Sequence, residues 1–166
     1  MAEYNLNCSL PFEYPQIVET ELNRYDKQML YNLLANKLCS VNEYITQSVI
    51  LAPEYPHLAD IIDCIAVSES KHFKLLGKLL LLSGARWDVH TLAGSCRRLR
   101  RTSFTGEPDP GVIINESVER ERALVSDTKL VLSQVYNSVM SELLKRILLD
   151  DEHHIGILSE ISLRYI

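Results

Sequence analysis

The sequence predicts an all-α fold, a bundle of four helices. Three observations carry that expectation. The chain has 166 residues, 46% apolar and 23% charged, enough for one buried core and too apolar for a disordered chain. Its 6 Gly and 6 Pro collect mostly near the N-terminus and in one central stretch. Elsewhere apolar residues recur at alternating steps of 4 and 3, the period of a helix facing a bundle core. The whole of 1–166 is read as a single domain.

Residues 1–18, with Pro11 and Pro15, read as an extended arm. The first helix is expected from about Thr20, with a seam of Leu30, Leu34, Lys37, Val41, Tyr44, Ser48 and Leu51. Pro53 and Pro56 end it. The second helix runs from about His57 to Ser83, with Gly84 as its C-terminal cap. Its seam is Leu58, Ile62, Ile65, Glu69, His72, Leu76 and Leu79.

The third helix follows Pro110–Gly111, with a seam of Ile114, Val118, Glu121, Val125, Thr128, Leu132 and Val135. A turn is expected near Asn137 and Ser138, both good turn and capping residues. The fourth helix is expected to run to the C-terminus, along Met140, Leu144, Ile147, Asp151, His154, Leu158, Ile161 and Tyr165. Residues 85–111 form the one long connection. At about 3.3 Å per residue they can cross the length of a bundle. The expected topology is therefore two antiparallel helix hairpins joined by a crossover.

Several function classes fall away. A net charge of -5 argues against a basic nucleic-acid binder. The cluster Arg97–Arg98–Leu99–Arg100–Arg101 is read as a solvated loop, and Trp87 as an anchor of the crossover. No apolar run approaches the roughly 20 residues of a membrane helix, and no signal peptide is evident. Cys8, Cys39, Cys64 and Cys96 form no CxxC pair, which points to a reducing cytoplasm rather than a disulfide framework or a zinc site.

The seams are interrupted by ionisable residues near their middles: Lys37, Glu69 with His72, Glu121, and Asp151 with His154. A buried charge needs a partner or a metal. The i, i+3 spacing puts carboxylate and imidazole on one helix face, and two such helices can bring them to one point. The spacing also repeats. Lys37 precedes Glu69 by 32 residues and Glu121 precedes Asp151 by 30, so the first hairpin echoes the second about a pseudo-two-fold axis. Tyr44, on the same seam, can donate to a ligand carboxylate or simply pack.

On these residues the chain resembles the rubrerythrin-related branch of the ferritin-like superfamily, close to a bacterial group without a rubredoxin domain. The matching stretches are LLANKLCSVNEYITQS (33–48), IAVSESKHFKLLGKLLLLSG (65–84), INESVERERALVSDT (114–128) and LKRILLDDEHHI (144–155). The resemblance implies a ferritin-like bundle whose core binds two metal ions. One Glu would come from each of the first and third helices, and Glu-x-x-His from each of the second and fourth. Carried over, the ligands are Glu69, His72, Glu121, Asp151 and His154, with Asp standing for Glu at 151. The first-helix position holds Lys37, which cannot ligate while protonated. The Glu121–His154 half is then nearly whole and the His72 half is damaged.

Three arrangements remain open. The site holds one ion or a weak pair, of iron, manganese or zinc. Alternatively it is empty, with Lys37 bridging Glu69 and Glu121 as charge compensator. Or it holds two ions, with Lys37 swung away and water or Glu43 in its place. By resemblance the activity is oxidation chemistry on peroxide or dioxygen. It would use an external electron-donor protein, and the chain would be a homodimer. The alternative is a silent, metal-free homologue acting as a scaffold or interaction protein.

Overall fold

The computed structural model describes residues 7–86 and 109–165. Among them every regular element is a helix: α1 (Arg24–Leu51), α2 (Pro56–Leu82), α3 (Pro110–Leu132) and α4 (Ser138–Ser162). Trp87, Arg97–Arg101 and most of the expected crossover lie outside the described residues.

Local chemistry sets the helix ends. Asn23 caps α1 by accepting from Asp26 N, so α1 starts at Arg24 and not near Thr20. Pro56 occupies the first turn of α2, where its missing N–H costs nothing. Gly84 lies at φ +73° just past α2. Gly84 N donates to Leu81 O and Ala85 N to Leu80 O, the paired closure that favours glycine at this position. The Asp109 carboxylate accepts from Gly111 N and Val112 N at the start of α3. Asn137 caps α4 by accepting from Met140 N. Two seams are shorter than expected. α3 ends at Leu132, before Val135, and α4 at Ser162, before Tyr165, which is exposed.

The helices form a four-helix bundle of two close hairpins, α1 with α2 and α3 with α4, and α1 also packs on α3 and α2 on α4. Two apolar clusters fill its ends. One joins Leu30 and Leu34 of α1, Leu76, Leu79 and Leu80 of α2, and Met140, Leu144 and Ile147 of α4, with Val131 and Leu132 of α3 against it. The other joins Leu51, Leu58, Ile62, Ile113, Ile114, Val118, Leu158 and Ile161. Each fully buried Leu or Ile contributes roughly 1.5–3 kcal/mol. Within each hairpin the start of one helix therefore meets the end of the other. α2 ends in the first cluster and α3 begins in the second, so Leu82 and Pro110 sit at opposite ends of the bundle. That is the disposition a lengthwise crossover requires.

Residues 7–23 carry no helix or strand, as the extended-arm reading expects, yet they are part of the core. Cys8, Ile17 and Leu22 are buried. Arg146 of α4 donates to the carbonyls of Leu10 and Phe12, and Ser9 bonds Ser68 of α2. The arm thereby lies along the groove between α2 and α4.

Candidate metal centre

The two apolar clusters leave a polar layer between them at mid-bundle. Lys37, Glu69, His72, Glu121, Asp151 and His154 all occupy it, and all are buried. Each stands where helical periodicity carries its seam through the centre. Glu69, Glu121, Asp151 and His154 offer one ligand atom apiece within 4.8 Å of one another, a group that could hold a metal ion.

The layer's two halves differ. In one, Lys37 Nζ donates to Glu69 Oε1 at 2.9 Å and to Asp151 Oδ1 at 2.7 Å. Lys37 thus bridges Glu69 and Asp151, not Glu69 and Glu121 as the sequence suggests. Asp151 faces it across the bundle, whereas Glu121 Oε1 is taken by the Tyr44 hydroxyl at 2.5 Å. Burial pulls the Lys37 ammonium down, but Asp151, Glu69 and Glu121 outweigh it and hold the ammonium above its ordinary value. Burial likewise pushes Glu69 up, but Lys37 and His72 draw its carboxyl far below the usual range.

His72 belongs to this half. Its Nδ1 lies 3.1 Å from Glu69 Oε1 and 3.4 Å from Asp151 Oδ1. Its Nε2 lies 3.1 Å from Asp150 Oδ2 and 3.0 Å from the Tyr14 hydroxyl, which itself donates to Asp150. Carboxylates only accept, so both ring nitrogens are engaged as donors. Burial disfavours the imidazolium, but Asp150 and Glu69 overcome it and raise the His72 pKa.

In the other half, His154 Nε2 donates to the Cys8 carbonyl at 2.8 Å. A carbonyl has no proton to give, so Nε2 carries hydrogen and Nδ1 faces the centre. Nδ1 lies 3.7 Å from Glu69 Oε1 and 3.8 Å from Glu121 Oε2, beyond hydrogen-bond range. It has no hydrogen-bond partner, and neither have Glu69 Oε2, Glu121 Oε2 and Asp151 Oδ2. Burial lowers the His154 pKa, but the attraction of Glu121, Glu69 and Asp151 lifts it to about 9. Burial, opposed by Lys37 and reinforced by Glu69, raises Asp151 to about 6. Burial and Glu121 keep the Tyr44 phenol well above its usual value, so it remains a donor.

Sequence reasoning missed the residues that hold the imidazoles from behind. Asp150 is buried and accepts from Leu10 N, Tyr14 and His72, and it pairs with Arg146 at 2.7 Å. Burial pushes its carboxyl up, but His72, Tyr14 and Arg146 hold it well below the carboxylate range. The i, i+4 spacing of Arg146 and Asp150 was the available signal. Glu43, the conceivable substitute ligand, is instead ion-paired with Arg120 of α3. Among the described residues no helix is long and apolar enough to cross a membrane. No protein-family model matches the chain, and no curated protein matches it.

Proposed function

We propose that this chain is a metal-binding bundle protein of the ferritin-like, rubrerythrin-related kind, holding one divalent ion with Glu69, Glu121, Asp151 and His154. The carrying observation is that each of the four residues of the one convergent group has a buried side-chain atom with no hydrogen-bond partner. A buried polar atom left unpaired costs about 1–3 kcal/mol, so four in one place favour an occupant. The rest of the donor set fits. The Cys8 carbonyl fixes the His154 tautomer with Nδ1 inward, and Tyr44 orients Glu121, as partners behind metal ligands do.

Carboxylate and imidazole donors suit iron or manganese, with zinc a further candidate. A bound redox-active ion supplies electron transfer to peroxide or dioxygen, the oxidoreductase activity we assign to the site. The chain's own part is to exclude water with the apolar layers, to neutralise charge through Lys37 and to release the His154 Nδ1 proton to solvent as an ion binds. The electron donor would be a separate protein.

A second reading is a metal-free scaffold or interaction protein. One observation favours it: Lys37, His72, His154 and Arg146 stand against Glu69, Glu121, Asp150 and Asp151, four basic groups against four acidic ones. Elemental analysis of the untagged protein, before and after anaerobic Fe(II) or Mn(II) loading and gel filtration, separates the two. The proposal expects about one ion per chain and a raised melting temperature. No retained ion under either loading assigns the chain to the second reading.

A further inference from the structure

The N-terminal arm carries a second piece of chemistry, in its thiol. Cys8 is 2% exposed, and its Sγ lies 4.0 Å from the carbonyl of Ile61 on α2. Cys64 lies one turn beyond Ile61 along the same face of α2 and packs against the apolar cluster that contains Cys8. Cys64 is only half-buried, so it is the sulfur of the two that solutes reach. The next arm contact repeats the register, with Ser9 Oγ 2.9 Å from Ser68 Oγ. A thiol on the arm and a thiol on the helix are therefore held together by flanking contacts that do not depend on either sulfur.

We propose that Cys8 and Cys64 form a reversible dithiol–disulfide pair that latches the arm onto α2. The oxidant is a low-molecular-weight disulfide. The Cys64 thiolate attacks one of its sulfurs, that S–S bond breaks, and one thiolate leaves. Cys8 sulfur then attacks the Cys64 sulfur of the mixed disulfide and expels the second thiolate. Two protein thiols are oxidised, one small disulfide is reduced to two thiols, and the two protons from Cys64 and Cys8 end on those thiols. Burial holds the Cys8 thiol far above its usual value, so little of it is thiolate when the closing step occurs. The latch is accordingly slow to form.

Its position gives it a consequence. The same residue's carbonyl receives His154 Nε2–H, so the latch fixes the backbone that orients His154. That consequence rests on the metal reading above; the disulfide itself does not.

The experiment incubates the full chain with oxidised glutathione, alkylates remaining thiols and maps peptides by mass spectrometry. Hydrogen exchange over residues 8–14 is followed in both redox states. The expected product is a Cys8–Cys64 linked peptide that dithiothreitol reverses, with exchange over the arm slowed by about tenfold. In Cys8→Ser the reaction is expected to stop at one glutathione on Cys64, and in Cys64→Ser no linked peptide forms. Circular dichroism melting confirms that each variant is folded. A wild-type glutathione adduct on Cys64 that never closes, a bridge drawn to Cys39 or Cys96, or two thiols that stay alkylatable throughout would each overturn the proposal. None of these results depends on whether the protein retains a metal.

Discussion

The Lys37–Glu69–His72 half of the polar layer and the Glu121–His154 half are built on the same plan and end in opposite states. Each has an imidazole whose Nδ1 faces the centre and whose Nε2 is held from outside, by Asp150 and Tyr14 in one case and by the Cys8 carbonyl in the other. The rings stack at 6.2 Å between centroids. In the first half an ammonium sits among the carboxylates, and His72 donates on both sides. In the second, Nδ1 and a Glu121 oxygen are left without hydrogen-bond partners. One residue separates the two outcomes: a lysine cannot ligate, but it can replace a cation's charge. Both halves keep carboxylate oxygens without hydrogen-bond partners, Glu69 Oε2 and Asp151 Oδ2 beside Lys37 and Glu121 Oε2 beside His154, but only His154 has an imidazole nitrogen without one.

That comparison can be broken most sharply by removing one imidazole at a time. His154→Ala is expected to abolish retention of Mn(II) through gel filtration, whereas His72→Ala is expected to keep about one ion per chain. Equal loss in both, read by elemental analysis, would erase the distinction between the halves.

Removing the ammonium comes next. Lys37→Met leaves Glu69 and Asp151 without their cation in the interior, which costs about 3–5 kcal/mol in the metal-free protein. Urea denaturation measures it, and saturating Mn(II) is expected to restore part of the loss. A change below about 1 kcal/mol, the scale of an exposed pair, would mean that Lys37 does not compensate the site's charge.

The smallest effect is that of pH, and its sign follows from His154. Its folded pKa, about 9, lies above the ordinary histidine value, so the protonated ring stabilises the fold. That contribution is complete below about pH 6.5 and is lost as pH rises through 9. Metal-free stability is expected to fall by on the order of 3 kcal/mol across that window. Apparent metal affinity should rise over the same window, because the ion displaces the proton. Denaturation curves at several pH values test the first effect, and His154→Gln should flatten them. A wild-type stability that is level from pH 6.5 to 9 would remove the charged His154 from the account.

Much of this layer was legible in the chain. Lys37, Glu69, His72, Glu121, Asp151 and His154 stand in phase with apolar neighbours, so periodicity alone places them inside. Tyr44 was legible as a donor on the same ground, and its acceptor is Glu121. The partners of the imidazoles were not. The Cys8 carbonyl has no side-chain signature, Tyr14 comes from a segment without a period, and Asp150 lies one residue off the seam. Which carboxylates Lys37 would meet was equally hidden, since its seam says that it points inward and not across to which helix.

The sequence by itself determined the four helices, the ends at Gly84 and Asn137 and the burial of six ionisable groups, because these follow from spacing and from backbone chemistry local to a few residues. Only the tertiary structure decided that Lys37 joins Glu69 to Asp151, that His72 is occupied on both nitrogens, and that His154 Nδ1 is left without a hydrogen-bond partner. Those are choices among equally near polar partners. They are made by the relative placement of four helices and an arm, which no local pattern encodes.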